Sequence, residues 1–167
     1  MKKTWMIAIV GVLLAGPAYS EAIKPRRVER RLGMLPMYSI YDYFAFQVDG
    51  SKVILKGQVY QPMLKSRAEN AVRSIAGVTE VENRIEVLPK AKSDDILRVK
   101  VARAVYGSNG LVRSPRPGGP TIHVIVKDGD VKLEGYVSDD SERKAAVGAA
   151  SMVWGVVSVQ DNLRLRG

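Results

Sequence analysis

The sequence predicts an α+β fold of two tandem small domains, each with the element order αββαβ and a three-stranded mixed sheet covered on one face by two helices. Three observations carry this prediction. The segment 43–88 aligns without a gap with 121–166, and the ten identical residues fall at apolar and glycine positions. Both segments open with two alternating apolar runs and continue into a helical pattern. The spacing of 78 residues is too long for a solenoid repeat, so it indicates two domains.

Each copy begins with the pattern of a β-hairpin. In the second copy, "TIHVIVKDGDVKLEGYV" alternates apolar and polar residues on both sides of Asp128-Gly129. In the first copy, "YFAFQVDGSKVILKGQV" does the same around Asp49-Gly50. An Asp-Gly pair between two alternating runs is a strong hairpin signal.

A helix follows each hairpin. Apolar residues recur there at helical spacing: Leu64, Ala68, Ala71, Val72 and Ile75 in the first copy, Ala146, Ala149, Ala150 and Val153 in the second. We expect Asp140 or Ser141 to cap the start of the second of these helices. Gly77 and Gly155 follow the last apolar positions, and we expect both to end their helices in a left-handed conformation.

A third strand ends each copy, and a further helical stripe precedes each hairpin. The stripe of the second copy lies in 94–106, where Leu97, Val101 and Val105 share one face. That of the first copy starts at Val28 and is stopped by Pro36. The predicted segments are a signal peptide at 1–20, a basic N-terminal arm at 21–27, domain 1 at 28–88, a linker at 89–93 and domain 2 at 94–167.

The first twenty residues predict export. "MKK" is followed by the apolar run "WMIAIVGVLLAG" and by small residues that favour cleavage between Ser20 and Glu21. This run is shorter than the roughly 20 residues that span a bilayer. No cysteine follows it that could carry a lipid anchor. We therefore expect a soluble, exported protein.

Composition excludes several kinds of site. The chain has no cysteine and a single histidine, His123, so we expect no disulfide, no thiolate or multi-histidine metal site and no cofactor. We expect His123 to be a surface or interdomain residue. No nucleophile elbow, phosphate-binding loop or pair of catalytic carboxylates is present, which predicts a protein that is not an enzyme and has no small-molecule substrate. The net charge of +9 lies largely near the N-terminus and in the linker, so nucleic acid is not an expected partner.

The chain resembles tandem BON-domain proteins. The motifs that carry the resemblance are "VILKGQV" with "AGVTEVENRIEV", and "VKLEGYV" with "WGVVSVQDNLRL", in the same order and spacing in both copies. The resemblance covers about 28–166. It implies a periplasmic protein of a double-membraned bacterium, linked to osmotic or envelope stress and to outer-membrane integrity. It also implies peripheral binding to an anionic phospholipid surface through the first helix of the second domain.

The matching helix, 94–106, has a second stripe that cations border. Apolar residues exposed between cations suit the membrane interface, where they enter the acyl boundary while the cations meet lipid phosphates. The predicted lipid-binding residues are Arg98, Val99, Lys100, Ala102, Arg103 and Tyr106. The predicted auxiliary basic contacts are Lys24, Arg26, Arg27, Arg113 and Arg116. The same stripe could instead pack on the other domain or under the loop 107–120.

The outer faces of the two third strands carry opposite charges. Glu80, Glu82 and Glu86 lie on the first, and Arg164 and Arg166 on the second. Such surfaces could hold the domains together or link molecules head to tail, or they could simply be solvated. The alternative to lipid binding is a protein–protein adaptor that docks another envelope protein through the second domain.

Overall fold

The structure is a computed structural model that describes residues 22–107 and 122–166. The predicted signal peptide, and the arginines Arg113 and Arg116, lie outside these residues. The elements in chain order are α1 (Pro25–Gly33), β1 (Tyr43–Asp49), β2 (Lys52–Val59), α2 (Pro62–Arg73), β3 (Glu80–Asn83), β4 (Glu86–Val87), α3 (Lys92–Gly107), β5 (Ile122–Lys127), β6 (Asp130–Val137), α4 (Asp140–Ser151) and β7 (Ser158–Leu165).

Both sheets are mixed, as predicted. β1 pairs antiparallel with β2, from Tyr43 opposite Gln58 to Asp49 opposite Lys52. β5 pairs with β6 in the same register 78 residues later. In each domain the second strand is central, because the strands after the second helix pair with it in parallel. The predicted αββαβ order is therefore confirmed in both copies.

The third strand of the first domain is interrupted. β3 and β4 both pair with β2, and Arg84 and Ile85 lie between them. Ile85 turns into the core, where it is 1% exposed, and its N–H donates to the Asn83 side chain at 3.2 Å. The equivalent strand of the second domain, β7, runs unbroken along β6.

Each domain has its own apolar core between its sheet and its two helices. The first core contains Val28, Val53, Leu55, Leu64, Val72 and Ile85, and the second contains Val101, Val124, Val126, Leu133, Ala146 and Ala150. Gly77 and Gly155 have φ of 92° and 100°, which confirms the expected left-handed conformation, but the C-caps of α2 and α4 are Ser74 and Met152, so the prediction that the glycines end the helices is wrong. This part of the repeated sequence therefore serves the scaffold.

Three boundaries differ from those predicted. α1 begins at Pro25, so Arg26 and Arg27 belong to a helix and not to a separate arm. α3 begins at Lys92, within the predicted linker. The cap of α4 is Asp139, whose carboxylate accepts a hydrogen bond from Glu142 N at 2.8 Å. The expected Asp140 and Ser141 lie one and two residues too far along, where the side chain no longer faces the free N–H groups of the first turn.

The segment before β1 joins the two domains. Ile40 and Tyr41 pack against the core of the second domain, although they precede the first strand of the first. The Val124 N–H donates to the Ile40 carbonyl at 2.7 Å, so this segment covers the outer edge of β5. Contacts with the second domain therefore begin in residues that sequence alignment assigns to the first.

Gly57 allows the backbones of β1 and β2 to approach closely opposite Phe44. Its φ is +114°, and a Cβ there would lie 2.0 Å from the Tyr43 carbonyl oxygen.

We expect Gly57→Ala to destabilise the protein by about 3 kcal/mol, because strain and backbone overlap add. Gly148→Ala is the matched control, since nothing lies within 4 Å of its Cβ position inside α4. It should stabilise by about 0.5–1 kcal/mol in urea unfolding. Equal effects of the two substitutions would contradict this account.

Candidate functional site

α3 buries a wider face than its apolar stripe alone predicts. The buried residues are Asp94, Leu97, Arg98, Val101, Ala102 and Val105. They recur every three or four residues, so they cover one broad side of the helix. This side faces both the sheet of the second domain and residues of the first domain, so two polar residues are buried along with the apolar ones.

Arg98 lies in the contact between the domains. Its Nη1 is 2.7 Å from Asp95 Oδ1, and its Nη2 donates to the Val126 carbonyl at 3.0 Å. Its guanidinium carbon lies 4.5 Å from the centre of the Tyr60 ring in the first domain, a cation–π contact. At 2% exposure Arg98 cannot reach a membrane surface. The prediction that Arg98 is an exposed lipid contact is therefore wrong.

Two further predicted lipid contacts are placed differently from expectation. Ala102 is 5% exposed and belongs to the second core, so the prediction that it lies on an exposed stripe is wrong. Tyr106 is half-buried, and its hydroxyl donates to the Ile122 carbonyl. The physical reason is the rotation of α3 about its axis, which turns Ala102 into the second core and Tyr106 towards β5.

The exposed face of α3 combines cations with aliphatic side chains. Val99, Lys100 and Arg103 are exposed, as predicted. Lys92 and Ile96 lie on the same face, within about 100° of arc on a helical wheel. This face therefore carries three positive charges around two apolar side chains.

A cluster of exposed apolar residues lies beside this face. Met152, Trp154 and Val157, in the turn between α4 and β7, are 88%, 88% and 76% exposed. The Lys100 ammonium lies 5.9 Å from the centre of the Trp154 ring. We call Ile96, Met152, Trp154 and Val157 the Trp154 patch.

The Trp154 patch is absent from the first copy. The residues equivalent to Met152, Trp154 and Val157 are Ser74, Ala76 and Thr79. The sequence prediction missed the patch because it treated this turn as part of the shared scaffold. The differences at these three aligned positions were the signal that could have found it.

A groove of about 650 Å³ runs from the Trp154 patch to the hairpin turn of the second domain. Asp94 lies at its base, and its carboxylate accepts hydrogen bonds from Asp128 N at 2.8 Å and Gly129 N at 3.1 Å. A buried carboxylate that accepts two backbone N–H groups is satisfied. Asp94 therefore fixes the start of α3 to the β5–β6 turn, so the groove has rigid walls.

α1 carries the second concentration of positive charge. Five basic residues occur in 24–33 against one acidic residue, Glu29. The predicted auxiliary contacts Lys24, Arg26 and Arg27 are all exposed. Met34 and Met37, just beyond the helix, are 75% and 53% exposed. This surface belongs to the first domain. Among the contacts of residues 22–107 and 122–166 described above, none links it to the Trp154 patch.

The acidic residues of β3 and β4 pair with lysines and not with Arg164 or Arg166. Glu86 bonds to Lys127 of the second domain at 2.6 Å, and not to an arginine of β7. The Lys127 ammonium holds the pKa of Glu86 below its usual value, with help from the Gln58 amide. Glu80 and Glu82 instead lie 2.9 and 3.0 Å from Lys52 of their own domain.

Arg164 of β7 and Arg166, just after this strand, are both exposed. Arg164 lies in a cleft between the domains beside Tyr43, whereas Arg166 is near the end of the described chain. A role in self-association stays a prediction for the acidic and the basic residues alike.

Aromatic rings fill the contact between the domains. The Tyr38 ring stacks on Phe44 at 4.9 Å and on His123 at 5.4 Å between centroids. Tyr43 meets the same histidine at 5.5 Å, and the Tyr38 hydroxyl lies 3.4 Å from its Nε2. His123 is 5% exposed, so it is an interdomain residue.

Two kinds of site are missing from the part of the chain that the structure describes. No group of three or more histidine, aspartate or glutamate residues could hold a metal ion in 22–107 or 122–166. Within the same residues, no helix has the length and apolar character needed to cross a bilayer.

Comparisons with known proteins identify both repeats. A family model described as "BON domain" matches residues 40–89 and 93–167. No curated protein matches the chain significantly. Among solved structures, the C-terminal domain of CdsD, a structural protein of the type III secretion system of Chlamydia trachomatis, is 14% identical over 86% of this chain and 97% of its own, with a TM-score of 0.37. A second CdsD structure is 17% identical over 84% and 91%, with a TM-score of 0.31.

Arg98 gives a first test of the domain contact. We expect Arg98→Ala to lower the free energy of unfolding by about 2–3 kcal/mol, because it removes charged hydrogen bonds in a buried site. Arg98→Lys should recover only part of this loss, since an ammonium cannot reproduce the planar fork of the guanidinium. Arg103→Ala, on the exposed face of the same helix, is the control in urea unfolding. A change below about 0.5 kcal/mol for Arg98→Ala would show that the contact is not stabilising.

Alkaline pH gives a second test. Burial raises the pKa of Tyr106 to about 12, and it also raises the pKa of Tyr38. The unfolded chain loses these protons near pH 10, while the folded protein keeps them. Stability should therefore be complete below pH 10 and fall as the pH rises towards 12. Urea unfolding between pH 9 and 12 should show a shallower fall for Tyr106→Phe than for the wild type. Equal slopes would mean that Tyr106 ionises freely in the folded state.

Proposed function

Since this chain belongs to the BON-domain family, we propose that it is a non-enzymatic periplasmic protein that binds the surface of anionic phospholipid membranes. Contact is made by the Trp154 patch together with the exposed face of α3. Binding of this kind supports envelope integrity under stress. The observation that carries the proposal is the 88% exposure of Trp154 beside Lys100.

The Trp154 patch has the chemistry of an interfacial contact. An exposed tryptophan is stable at the boundary between headgroups and acyl chains, where its ring is buried and its N–H stays near water. Met152 and Val157 add apolar area on the same turn. The three aligned positions of the first domain are polar or small, which supports assigning this contact to the second domain.

Positive charges stand where lipid phosphates would lie. Lys92, Lys100 and Arg103 border the patch along α3. A basic residue near an anionic leaflet contributes about 1 kcal/mol of attraction. The apolar turn would supply depth of insertion, while these three residues would supply selectivity for anionic lipid.

The basic surface of α1 adds a second, electrostatic attraction. Its cations stand beside Met34 and Met37 and not beside an exposed tryptophan, so its main contribution would be to raise the local concentration of protein at a charged surface. The proposed contribution of Lys24, Arg26 and Arg27 should therefore vanish at high salt, when the Debye length is about 3 Å at 1 M.

The alternative function is an adaptor that docks another envelope protein. The groove of about 650 Å³ beside Trp154 favours it, because a concave surface next to an exposed aromatic ring is also typical of protein recognition. Lipid binding and docking use the same patch, so the choice of binding partner in an experiment separates them.

Tryptophan fluorescence tests the lipid proposal directly. The two tryptophans of the chain are Trp5, in the predicted signal peptide, and Trp154, so emission of the secreted protein reports this one site. We expect a blue shift and co-flotation with phosphatidylglycerol vesicles, and neither with phosphatidylcholine vesicles. Trp154→Ala should weaken flotation about tenfold or more, because burial of a large apolar side chain is lost.

Charge variants complete the test. Lys100→Glu with Arg103→Glu should abolish the preference for anionic vesicles, whereas Lys56→Glu, an exposed lysine of the first domain, should not. Flotation unchanged by Trp154→Ala would place the lipid contact elsewhere. If the protein ignores vesicles of both kinds but retains a partner that Trp154→Ala releases, the adaptor function is correct.

A further inference from the structure

The free edge of β1 lies in a cleft between the two domains. The cleft has a volume of about 350 Å³, and four consecutive strand residues, Tyr43–Phe46, line one side of it. The last turn of α1 borders it on one flank through Glu29 and Leu32. Tyr136 and Arg164 of the second domain border the other. The cleft therefore follows the backbone of a strand and not an isolated set of side chains.

The hydrogen-bond pattern shows which backbone groups of β1 face this cleft. The carbonyls of Leu55 and Val59 accept from Arg84 N and Leu88 N, so the odd residues of β2 bond towards β3 and β4. The even residues of β2 therefore bond to β1, and their partners there are the odd residues 43–49. Phe44 and Phe46 thus direct their N–H and C=O groups away from β2.

The two outward positions that line the cleft are not equally accessible. Phe44 is 9% exposed and stacks on the Tyr38 ring. No backbone group of residues 22–107 or 122–166 accepts from the Phe46 N–H. Phe46 therefore offers a donor and an acceptor at the side of the cleft.

The second domain shows how the same edge is covered. Val124 is the residue aligned with Phe46, and its N–H donates to the Ile40 carbonyl at 2.7 Å. In β5 a backbone carbonyl of the turn at residues 39–42 therefore satisfies the position that is left over in β1.

The other sheet edges carry features that discourage pairing. β3 is four residues long and displays Glu80 and Glu82, while β7 displays Arg164 and is followed by Arg166. From Tyr43 to Val48, β1 contains neither a proline nor a charged residue. Natural proteins protect their edge strands with charge, proline or short length, so an unprotected edge marks a docking position.

We propose that the β1 edge binds an extended peptide segment of another protein, which pairs its backbone with Phe46 and lies between α1 and the second domain. The bound segment has alternating apolar and acidic side chains. Backbone pairing supplies affinity, and the aromatic rings around Phe46 receive one apolar side chain of the peptide. This site is separate from the Trp154 patch, so it does not depend on lipid binding.

Charge and shape select this occupant. Arg164 lines the cleft from the second domain, so acidic side chains are favoured over basic ones on that side, while Glu29 lines the side of α1. A second copy of the chain is a poorer fit, because the edge is recessed between α1 and Tyr136. A single extended segment can enter there, whereas a folded sheet would meet these walls first.

Amide exchange by NMR tests the proposal with a blocked eight-residue peptide of alternating valine and glutamate. We expect the peptide to slow exchange of the Phe46 amide, while the Ala45 and Gln47 amides, already bonded to β2, stay unchanged. Phe46→Pro should weaken binding about tenfold or more, because it removes the outward donor and no bond to β2. Phe46→Ala keeps the donor and should bind better than the proline variant.

Three results would overturn the proposal. The first is no binding at millimolar peptide, and the second is binding that leaves Phe46 exchange unchanged. The third is concentration-dependent dimerisation that Phe46→Pro abolishes, since this would assign the edge to a second copy. The peptide with every amide N-methylated serves as the control, and it should not bind. If Phe46→Pro fails to fold, the exchange data on the wild type decide alone.

Discussion

One buried cation, Arg98, links the orientation of α3 to the first domain. Arg98 is charged yet almost fully buried, so its desolvation has to be offset by close partners. Asp95 of the same helix, the Val126 carbonyl of β5 and the Tyr60 ring of the first domain provide them. A planar guanidinium meets all three in one orientation only. Arg98 therefore contributes to the rotation of α3 and to the position of the first domain, together with the Val124–Ile40 hydrogen bond, the stacking of Tyr38 on His123 and the Glu86–Lys127 ion pair.

The rotation of α3 decides what the protein presents to its surroundings. With Arg98 and Ala102 turned inward, Val99, Lys100 and Arg103 face solvent beside Trp154. The Asp94 carboxylate ties the same helix to the β5–β6 turn. Structural contacts on one side of the helix thus determine the composition of the binding surface on the other. The two copies share a scaffold, and the proposed functions lie where they differ.

Periodicity predicts elements better than it predicts their neighbours. The hairpins, the mixed sheets and the left-handed conformation of Gly77 and Gly155 follow from local patterns, and all are confirmed. α3 has apolar residues on two stripes, and its own sequence does not tell which of them meets the first domain. That choice depends on Tyr60, more than 30 residues away, so the exposure of Arg98 was predicted wrongly. Trp154 was missed for a different reason. The two copies have the same spacing at this turn, so the replacement of Ala76 in the first copy by Trp154 in the second was overlooked.

The repeated sequence and the folded domain have different boundaries, because Ile40 and Tyr41 precede the first strand of domain 1 but pack on the core of domain 2. A fragment that begins at Lys92 contains every strand and helix of the second domain, but it lacks the segment that covers β5 and packs on its core. Such a fragment would expose a long apolar edge and invite aggregation. The repeated sequence is therefore shorter than the unit that the second domain needs to complete its core, because that core also uses Ile40 and Tyr41. A chimaeric protein that takes its second domain from this chain would therefore also need residues 38–42 of this chain.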